Sequence, residues 1–178
     1  MNVTPTEIPD VLVLAPRVFA DDRGAFFESF NRRAFAEALG REVEFVQDNQ
    51  STSRRHVLRG LHYQEPQPQG KLVRALAGTI YDVAADIRPG SATFGRWVGV
   101  ELSAANRRQL WVPEGLAHGF LVLSESADVL YKTTDFYAPS CERCLRWDDP
   151  TLAIRWPLTA PPLLSPRDAA APPLGGRG

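Results

Sequence analysis

The sequence predicts an all-β protein, a jelly-roll sandwich or barrel with one or two short helices. Short runs rich in β-branched and aromatic residues recur along the chain, separated by Gly, Pro, Asn and Ser. Only one segment carries the boundary signals of a helix, and many short strands with little helix are typical of a jelly roll. A chain of 178 residues can bury a proper core as one domain.

The predicted elements begin with strands and include one helix. The helix spans residues 31–39 (NRRAFAEAL), with Asn31 as the N-cap and Gly40 as the stop signal. Strands are expected at residues 11–16, 43–49, 71–87, 96–102, 108–113, 119–123 and 128–134.

Two further signals concern bends and ends. Gly78 lies inside the long β-rich run 71–87 and predicts a tight bend between two paired strands. The segment after Thr159 is rich in Pro and Ala. We therefore expect a single domain over residues 1–170 and a flexible tail over 171–178, with LLSPRD (163–168) docking back onto the domain.

The composition excludes several classes of partner. A net charge of −1 gives no general attraction to nucleic acid or to a membrane surface, so an anionic ligand needs a local cluster of Arg and Lys. The N-terminus lacks the pattern of a signal peptide, and no apolar run is long enough to span a bilayer. These features predict a cytoplasmic protein that binds neither nucleic acid nor membrane.

The cysteines and histidines limit the chemistry. Cys141 and Cys144 form one CxxC without the βαβ context of a redox pair or the second pair of a zinc site, which favours surface thiols. The three histidines include no HxH pair, so a metal-dependent cupin is weakly supported. His56 lies in a basic loop and is expected to be solvated, whereas His118 stands at the entry to an apolar strand.

His62 lies within the strand-like segment VLRGLHYQ (57–64). Strand alternation would place His62, Leu58 and Gly60 on one face, with Arg59 and Leu61 on the other. Amides, cations and aromatic side chains occur in neighbouring runs, such as QDNQS at 47–51, but the phosphate-binding motifs GxxxxGK[ST] and GxGxxG do not. This set argues against an NTPase and against a dinucleotide-dependent enzyme.

Several multi-residue motifs carry a specific resemblance in correct order and spacing. They are FADDRGAFFESF, FVQDNQSTS, VLRGLHYQ, QGKLVRALAGTIYDVAADIR, ATFGRWVGVELSAANRRQLWVPEGLAHGF, LYKTTDFYAP and RWDDPTLAIRWP. Over about residues 1–170 the chain resembles the dTDP-4-dehydrorhamnose 3,5-epimerase family of cupin-fold (double-stranded β-helix) enzymes. The resemblance implies a homodimer that epimerises C3 and C5 of dTDP-4-dehydro-6-deoxy-D-glucose without cofactor or metal.

The resemblance also implies a catalytic set. His62 is the expected base, and Asp168 is the carboxylate that orients its ring and stabilises the imidazolium. Lys71 is the expected cation beside the C4 oxygen, and Tyr131 the acid on the opposite face of the sugar. The chemistry agrees, because C3 and C5 lie next to a ketone and histidine has an ordinary pKa near neutrality.

A second implied set binds the nucleotide-sugar. Arg59 and Arg23 suit the diphosphate, and Phe19 and Tyr137 suit the thymine or the sugar. Arg167 stands where the family has Lys, and Arg23 and Glu28 are expected to reach the neighbouring subunit of the dimer. The full binding set is Phe19, Arg23, Glu28, Gln47, Asp48, Asn49, Arg59, His118, Tyr137, Glu142 and Arg167.

Three alternatives stay open at this point. An epimerase acting only at C3 or only at C5, as in antibiotic deoxysugar pathways, would use the same base and acid. A non-catalytic cupin that binds a sugar nucleotide would tolerate loss of the base. A metal-dependent cupin oxygenase would bind iron or another metal.

Overall fold

The computed structural model describes residues 1–176 and consists mainly of β-strands. The strands are β1 (Asn2–Pro5), β2 (Leu12–Ala15), β3 (Val18–Asp21), β4 (Gly24–Phe27), β5 (Gln47–Arg54), β6 (Leu58–Gln64), β7 (Lys71–Ala77), β8 (Thr79–Asp86), β9 (Trp97–Ser103), β10 (Gln109–Val112), β11 (Leu116–Val122), β12 (Ser126–Thr133) and β13 (Glu142–Cys144). The helices are α1 (Arg32–Leu39) and α2 (Pro166–Ala169), followed by a 3-10 turn at Leu174–Gly176.

The strands form two large antiparallel sheets and a separate hairpin. The first sheet has the order β1-β2-β10-β7-β12-β5, and the second has the order β13-β6-β11-β8-β9. Among the strands of residues 1–176, β3 and β4 pair only with each other. This arrangement of two facing antiparallel sheets confirms the jelly-roll prediction.

The main core lies between the two sheets. Val73 and Leu110 from the first sheet and Ile80, Leu102 and Phe120 from the second are all buried in one cluster. The second sheet is also covered on its outer face, where Val83 and Ala85 of β8 pack in a separate cluster. Because β8 packs on both faces, its residues are buried continuously from Asp82 to Asp86 and not in alternation.

The helix α1 covers the outer face of the first sheet. The Asn31 side chain caps it by accepting a hydrogen bond from the Ala34 N–H at 3.1 Å, and Gly40 ends it in the left-handed conformation. Phe35 of α1 packs against Trp111 and Leu72 of the sheet. The predicted helix, its cap and its stop are therefore confirmed.

The C-terminal segment covers the outer face of the second sheet. Leu152, Trp156 and Leu174 pack in the outer cluster, and the Leu174 N–H donates to Asp149 Oδ2 at 2.7 Å. Packing thus extends beyond residue 170, where we expected a flexible tail, because Leu174 is an apolar side chain with an apolar surface to cover. Residues 177–178 of that expected tail lie outside the described residues.

The long run 71–87 does contain a break at Gly78, but the two strands it joins are not paired with each other. β7 belongs to the first sheet and β8 to the second, so the chain crosses from one sheet to the other at this point. Gly78 has φ +70, and a Cβ there would lie 2.0 Å from the Ser126 carbonyl oxygen. The prediction of a hairpin was wrong because a bend signal does not specify the partner strand.

Two other strand predictions need correction. The strand expected at residues 43–49 begins later, at Gln47, because its edge pairing with β12 runs from Gln47 to Arg54. In β6 the pairing with β11 shifts by one residue between Arg59 and His62, as in a β-bulge. The expected alternation is therefore shifted: His62 and Arg59 line the same cavity, while Leu58 and Leu61 are buried in the cluster on the outer face of the second sheet.

Candidate active site

A cavity of about 320 Å³ lies between the edges of the two large sheets. β5, β7 and β12 of the first sheet form one wall, and β6, β11 and β13 of the second form the other. Its lining is mostly polar or aromatic: Gln47, Asn49, Ser51, Arg59, His62, Tyr63, Gln64, Gln69, Lys71, His118, Phe120, Tyr131, Tyr137 and Glu142. Three of the four expected catalytic residues and six of the expected binding residues are among them.

His62 and Asp168 form a close pair at the second sheet. His62 Nε2 lies 2.6 Å from Asp168 Oδ1; the carboxylate is buried, whereas the imidazole is 31% exposed. Asp168 sits on α2, whose N-cap Ser165 accepts a hydrogen bond from the Asp168 N–H at 3.0 Å. This geometry leaves His62 Nδ1 as the ring nitrogen available to take a proton.

The electrostatics of the pair keep the carboxylate charged. Burial tends to raise the pKa of Asp168, but the hydrogen bond and positive charge of His62, together with Ser165, outweigh it and hold the pKa below its ordinary value. A charged Asp168 fixes the proton of the neutral ring on Nε2 and stabilises the imidazolium once Nδ1 is protonated. The docking expected for the segment 163–168 is thus observed, with Asp168 beside His62.

Lys71 places a buried ammonium at the inner end of the cavity. Its Nζ donates a hydrogen bond to the His62 carbonyl oxygen at 3.3 Å. Burial lowers the pKa of Lys71 from 10.5 to about 8, although the charges of Asp82 and Glu142 partly offset that effect. At neutral pH the ammonium is still mostly charged, so it can stabilise negative charge that develops on a nearby oxygen.

Tyr131 lines the wall opposite His62. It lies on β12 of the first sheet, whereas His62 lies on β6 of the second. Burial raises the pKa of Tyr131, and the nearby Arg59 charge opposes that rise only in part. The phenol therefore stays protonated at neutral pH and can donate a proton from the side opposite the histidine.

The polar rim of the cavity is held by a small network. Glu142 accepts hydrogen bonds from the Tyr137 hydroxyl at 2.7 Å and from Arg167. Burial tends to raise the pKa of Glu142, but Arg167 and Tyr137 outweigh it and the pKa is lowered. Arg167 lines a second cavity of about 300 Å³ that shares Arg59, His62 and Glu142 with the first.

Five expected binding residues do not line this cavity: Arg167 lines the second cavity, and the other four lie elsewhere. Asp48 points away from it, because alternation on β5 turns Gln47 and Asn49 inward, and it pairs instead with Lys132 at 2.9 Å. Phe19 and Arg23 belong to the β3–β4 hairpin, which makes a separate sheet, and Glu28 follows that hairpin. Within this chain the structure does not bring these four together with His62.

Several polar residues of the site were not expected from the sequence. Asp82 is fully buried in β8, and its Oδ1 accepts a hydrogen bond from His118 Nε2 at 2.8 Å. Gln64 anchors the loop that carries Tyr137 through its bonds to the Phe136 carbonyl and the Ala138 N–H. An acid inside the run IYDVAADI was a detectable signal, since buried carboxylates need a partner.

The two cysteines are not surface thiols. Cys141 is buried, and Cys144 is half-buried, with its Sγ 3.5 Å from Asp168 Oδ1. Burial and the nearby Asp168 charge raise the pKa of the Cys144 thiol to about 12. The expectation of surface thiols was wrong because β13 pairs with β6 and brings Cys144 opposite His62.

Comparison with known proteins identifies the family of this chain. A family model described as dTDP-4-dehydrorhamnose 3,5-epimerase matches residues 5–175. The chain belongs to this family. A curated relative of that name from Pseudomonas aeruginosa is 64% identical over 94% of this chain and 93% of its own length.

Solved structures of the family superpose over nearly the whole chain. A dTDP-6-deoxy-D-glucose-3,5-epimerase from Legionella pneumophila, in complex with dTDP-4-keto-L-rhamnose, gives a TM-score of 0.96 at 53% identity and covers 98% of this chain and 93% of its own. A 3′-monoepimerase from Streptomyces bikiniensis, in complex with dTDP-quinovose, gives 0.91 at 37% identity and covers 96% and 87%. These matches confirm the predicted family, its cupin-type fold and its enzyme class, an isomerase.

Proposed function

We propose that this chain epimerises C3 and C5 of dTDP-4-dehydro-6-deoxy-D-glucose to give dTDP-4-dehydro-L-rhamnose. The observation that carries the proposal is a base and an acid on opposite walls of one cavity, with a buried ammonium beside them. His62 is paired with Asp168 at 2.6 Å on one wall, and the protonated Tyr131 lies on the other. The ketone at C4 itself acidifies the neighbouring C–H bonds, so the reaction needs neither cofactor nor metal.

The catalytic cycle follows from these positions. His62 Nδ1 removes the proton from the carbon beside the ketone, and the electron pair moves onto the C4 oxygen as an enolate. The Lys71 ammonium stabilises that oxygen, and Asp168 stabilises the imidazolium. Tyr131 then returns a proton to the carbon from the opposite face, which inverts the centre. Transfer of the His62 proton to the phenolate through solvent restores both groups.

The rest of the cavity offers contacts for the nucleotide-sugar. Arg59, held by a hydrogen bond from its Nε to Ser53 Oγ at 3.0 Å, presents a guanidinium that suits phosphate oxygens. The Ser51 hydroxyl lines the cavity, is buried and has no partner among the described residues, so a polar ligand atom would satisfy it. Tyr137, half exposed at the rim, offers a ring for stacking on the base.

The double epimerisation is favoured over a single-site reaction by the degree of similarity. The relatives named as 3,5-epimerases include one at 64% identity, whereas the 3′-monoepimerase is 37% identical. Exchange of solvent deuterium, followed by NMR of the sugar in D2O, separates the two reactions. We expect deuterium at both C3 and C5; deuterium at one carbon alone would identify a single-site epimerase.

The base assignment has a direct test. His62→Ala should abolish deuterium incorporation at both carbons while binding of dTDP is retained. If the wild type itself showed no turnover, the chain would be a non-catalytic binding protein. His56→Asn is the matched control, because His56 lies in a turn outside the cavity with φ 68, which Asn tolerates. Full turnover in His62→Ala would refute the mechanism.

We also propose that two copies form a homodimer in which the β3–β4 hairpin completes the partner's cavity. The hairpin exposes Phe19 by 52% and Phe26 by 72%, and within residues 1–176 the one ion-pair partner of Arg23 is the neighbouring Asp21. Mixing the inactive variants Arg23→Ala and His62→Ala tests this, since a mixed dimer has one site free of both changes. We expect activity to recover when the two variants are mixed. A mixture no more active than the two separate variants would place Arg23 in its own subunit's site.

The cytoplasm is the proposed location. Cys141 and Cys144 are both free thiols, the state that a reducing compartment maintains. In residues 1–176 the helices are too short to cross a membrane.

A further inference from the structure

Two side chains that can bind metal ions, Cys144 and Asp168, converge on His62. His62, Cys144 and Asp168 come from β6, β13 and α2, and their ligand atoms all lie within 4.8 Å of one another. Cys144 stands directly opposite His62 in the β13–β6 pairing, and Asp168 Oδ1 lies 2.6 Å from His62 Nε2 and 3.5 Å from Cys144 Sγ. The proposed epimerisation uses His62 and Asp168 but gives Cys144 no task.

The donor set has the chemistry of a zinc site. One imidazole nitrogen, one thiolate sulfur and one carboxylate oxygen are the ligands that Zn²⁺ takes, and three protein ligands leave a fourth position for water. With the thiol deprotonated, Cys144 and Asp168 together carry the two negative charges that neutralise a divalent ion. Ser165 already holds Asp168 in place through the α2 cap, which resembles the outer-shell support of metal ligands.

The site is reachable from outside. The second cavity, of about 300 Å³, opens onto His62, Asp168 and Ser165. Of the two arginines that line it, Arg167 is paired with Glu142, and Arg59 donates from its Nε to Ser53 Oγ. A small cation can therefore reach His62 and Asp168 through the second cavity, which adjoins the sugar-binding cavity at Arg59, His62 and Glu142.

We propose that His62, Cys144 and Asp168 bind one Zn²⁺ ion that inhibits the epimerase reaction. This inhibition rests on the proposed role of His62 as base. The metal bonds to Nε2, so the neutral imidazole must carry its proton on Nδ1, and Nδ1 then has no lone pair for the substrate proton. The ring thus loses its proton from Nε2 and gains one on Nδ1, with no net change in its proton count. The thiol releases one proton to solvent for each ion bound. The sugar cavity itself stays free.

Metal binding can be measured without any turnover assay. The full chain, first treated with a chelator, is titrated with Co²⁺ under reducing conditions, and thiolate-to-cobalt charge transfer is recorded together with stoichiometry. We expect one ion per chain, displaced by Zn²⁺, in the wild type and in Cys141→Ala, the matched control. In Cys144→Ala the charge-transfer band should vanish, and Zn²⁺ affinity should fall by at least about 10- to 100-fold, the loss that removal of an outer-shell partner alone causes.

The functional arm measures turnover and dTDP binding with increasing Zn²⁺. In wild type and Cys141→Ala, Zn²⁺ should lower kcat while the affinity for dTDP stays unchanged. In Cys144→Ala, the Zn²⁺ concentration needed for inhibition should rise by the same factor as the dissociation constant for the ion. Equal Zn²⁺ sensitivity in Cys144→Ala, or loss of dTDP binding with the metal, would overturn the proposal. Cys144→Ser, with thermal melts, separates a folding defect from ligand loss. If the band forms but the chain has no epimerase activity, the proposed function fails and the metal site stands.

Discussion

Replacing Lys71 with methionine should stabilise the fold while it removes turnover. Lys71 is buried, and burial lowers its pKa from 10.5 to about 8. At about 1.4 kcal/mol per pKa unit, carrying the charge costs the folded protein about 3 kcal/mol at neutral pH. Methionine has a similar length and no charge, and the lost hydrogen bond to the His62 carbonyl subtracts about 1 kcal/mol. The net gain is about 2 kcal/mol, or roughly 4–8 °C in Tm for a chain of this size.

The gain should depend on pH in a defined direction. The folded pKa lies below the unfolded one, so between pH 8 and 10.5 the unfolded chain binds the Lys71 proton more strongly. Wild-type stability therefore rises with pH through that window relative to Lys71→Met. The advantage of the variant should shrink by up to about 1.4 kcal/mol per pH unit within this window and approach zero near pH 10.

Urea unfolding at pH 7 and at pH 10, on both proteins, measures this difference. Lys132→Met is the matched control, because the Lys132 ammonium pairs with Asp48 at the surface and its removal should bring no gain. Turnover of Lys71→Met should fall by about 10²- to 10³-fold, as for loss of one oxyanion-stabilising group. A variant that is less stable than wild type at pH 7, or a gain independent of pH, would refute the assignment of Lys71 as a buried charge.

Three further outcomes are expected. Tyr131→Phe should keep proton exchange with D2O but form product about 10²- to 10⁴-fold more slowly, and equal loss of both by NMR would contradict its role as the acid. Turnover should fall as pH rises through about 8, where Lys71 loses its proton; in a pH–rate profile Lys71→Arg should shift that fall upward, since a guanidinium stays charged. Leu174→Ala should cost about 2–5 kcal/mol in urea unfolding, whereas Leu163→Ala, 41% exposed, should cost less than about 1, and equal costs would deny the docking of the tail.

Local signals predicted the local parts of the fold. Asn31 and Gly40 bracket the helix because capping depends only on neighbouring residues. The existence of most strands was also predictable, since apolar and β-branched runs stand between turn residues. Gly78 shows where local signals stop being sufficient. The bend at Gly78 was predictable, but the partners of the two strands that it joins depend on contacts far away in sequence.

The site was predictable only in part for the same reason. The family motifs located His62, Lys71 and Tyr131, which the structure brings around one cavity, and Asp168 behind it. The bulge in β6 could not be seen, because one extra residue in the pairing changes the facing of His62 without changing composition. The polar strand β5 lacks apolar alternation, so its bounds were displaced by several residues.

The order of synthesis determines when Asp168 can pair with His62. His62 and Asp168 are 106 residues apart, and every strand of residues 1–176 is synthesised before Asp168 leaves the ribosome. His62 thus receives its orienting carboxylate only after all of these strands have been synthesised. A protease that cuts between Trp156 and Ser165 would break the covalent link between the two sheets and the carboxylate that sets the histidine tautomer, and Asp168 would then be held only by the packing of its own segment.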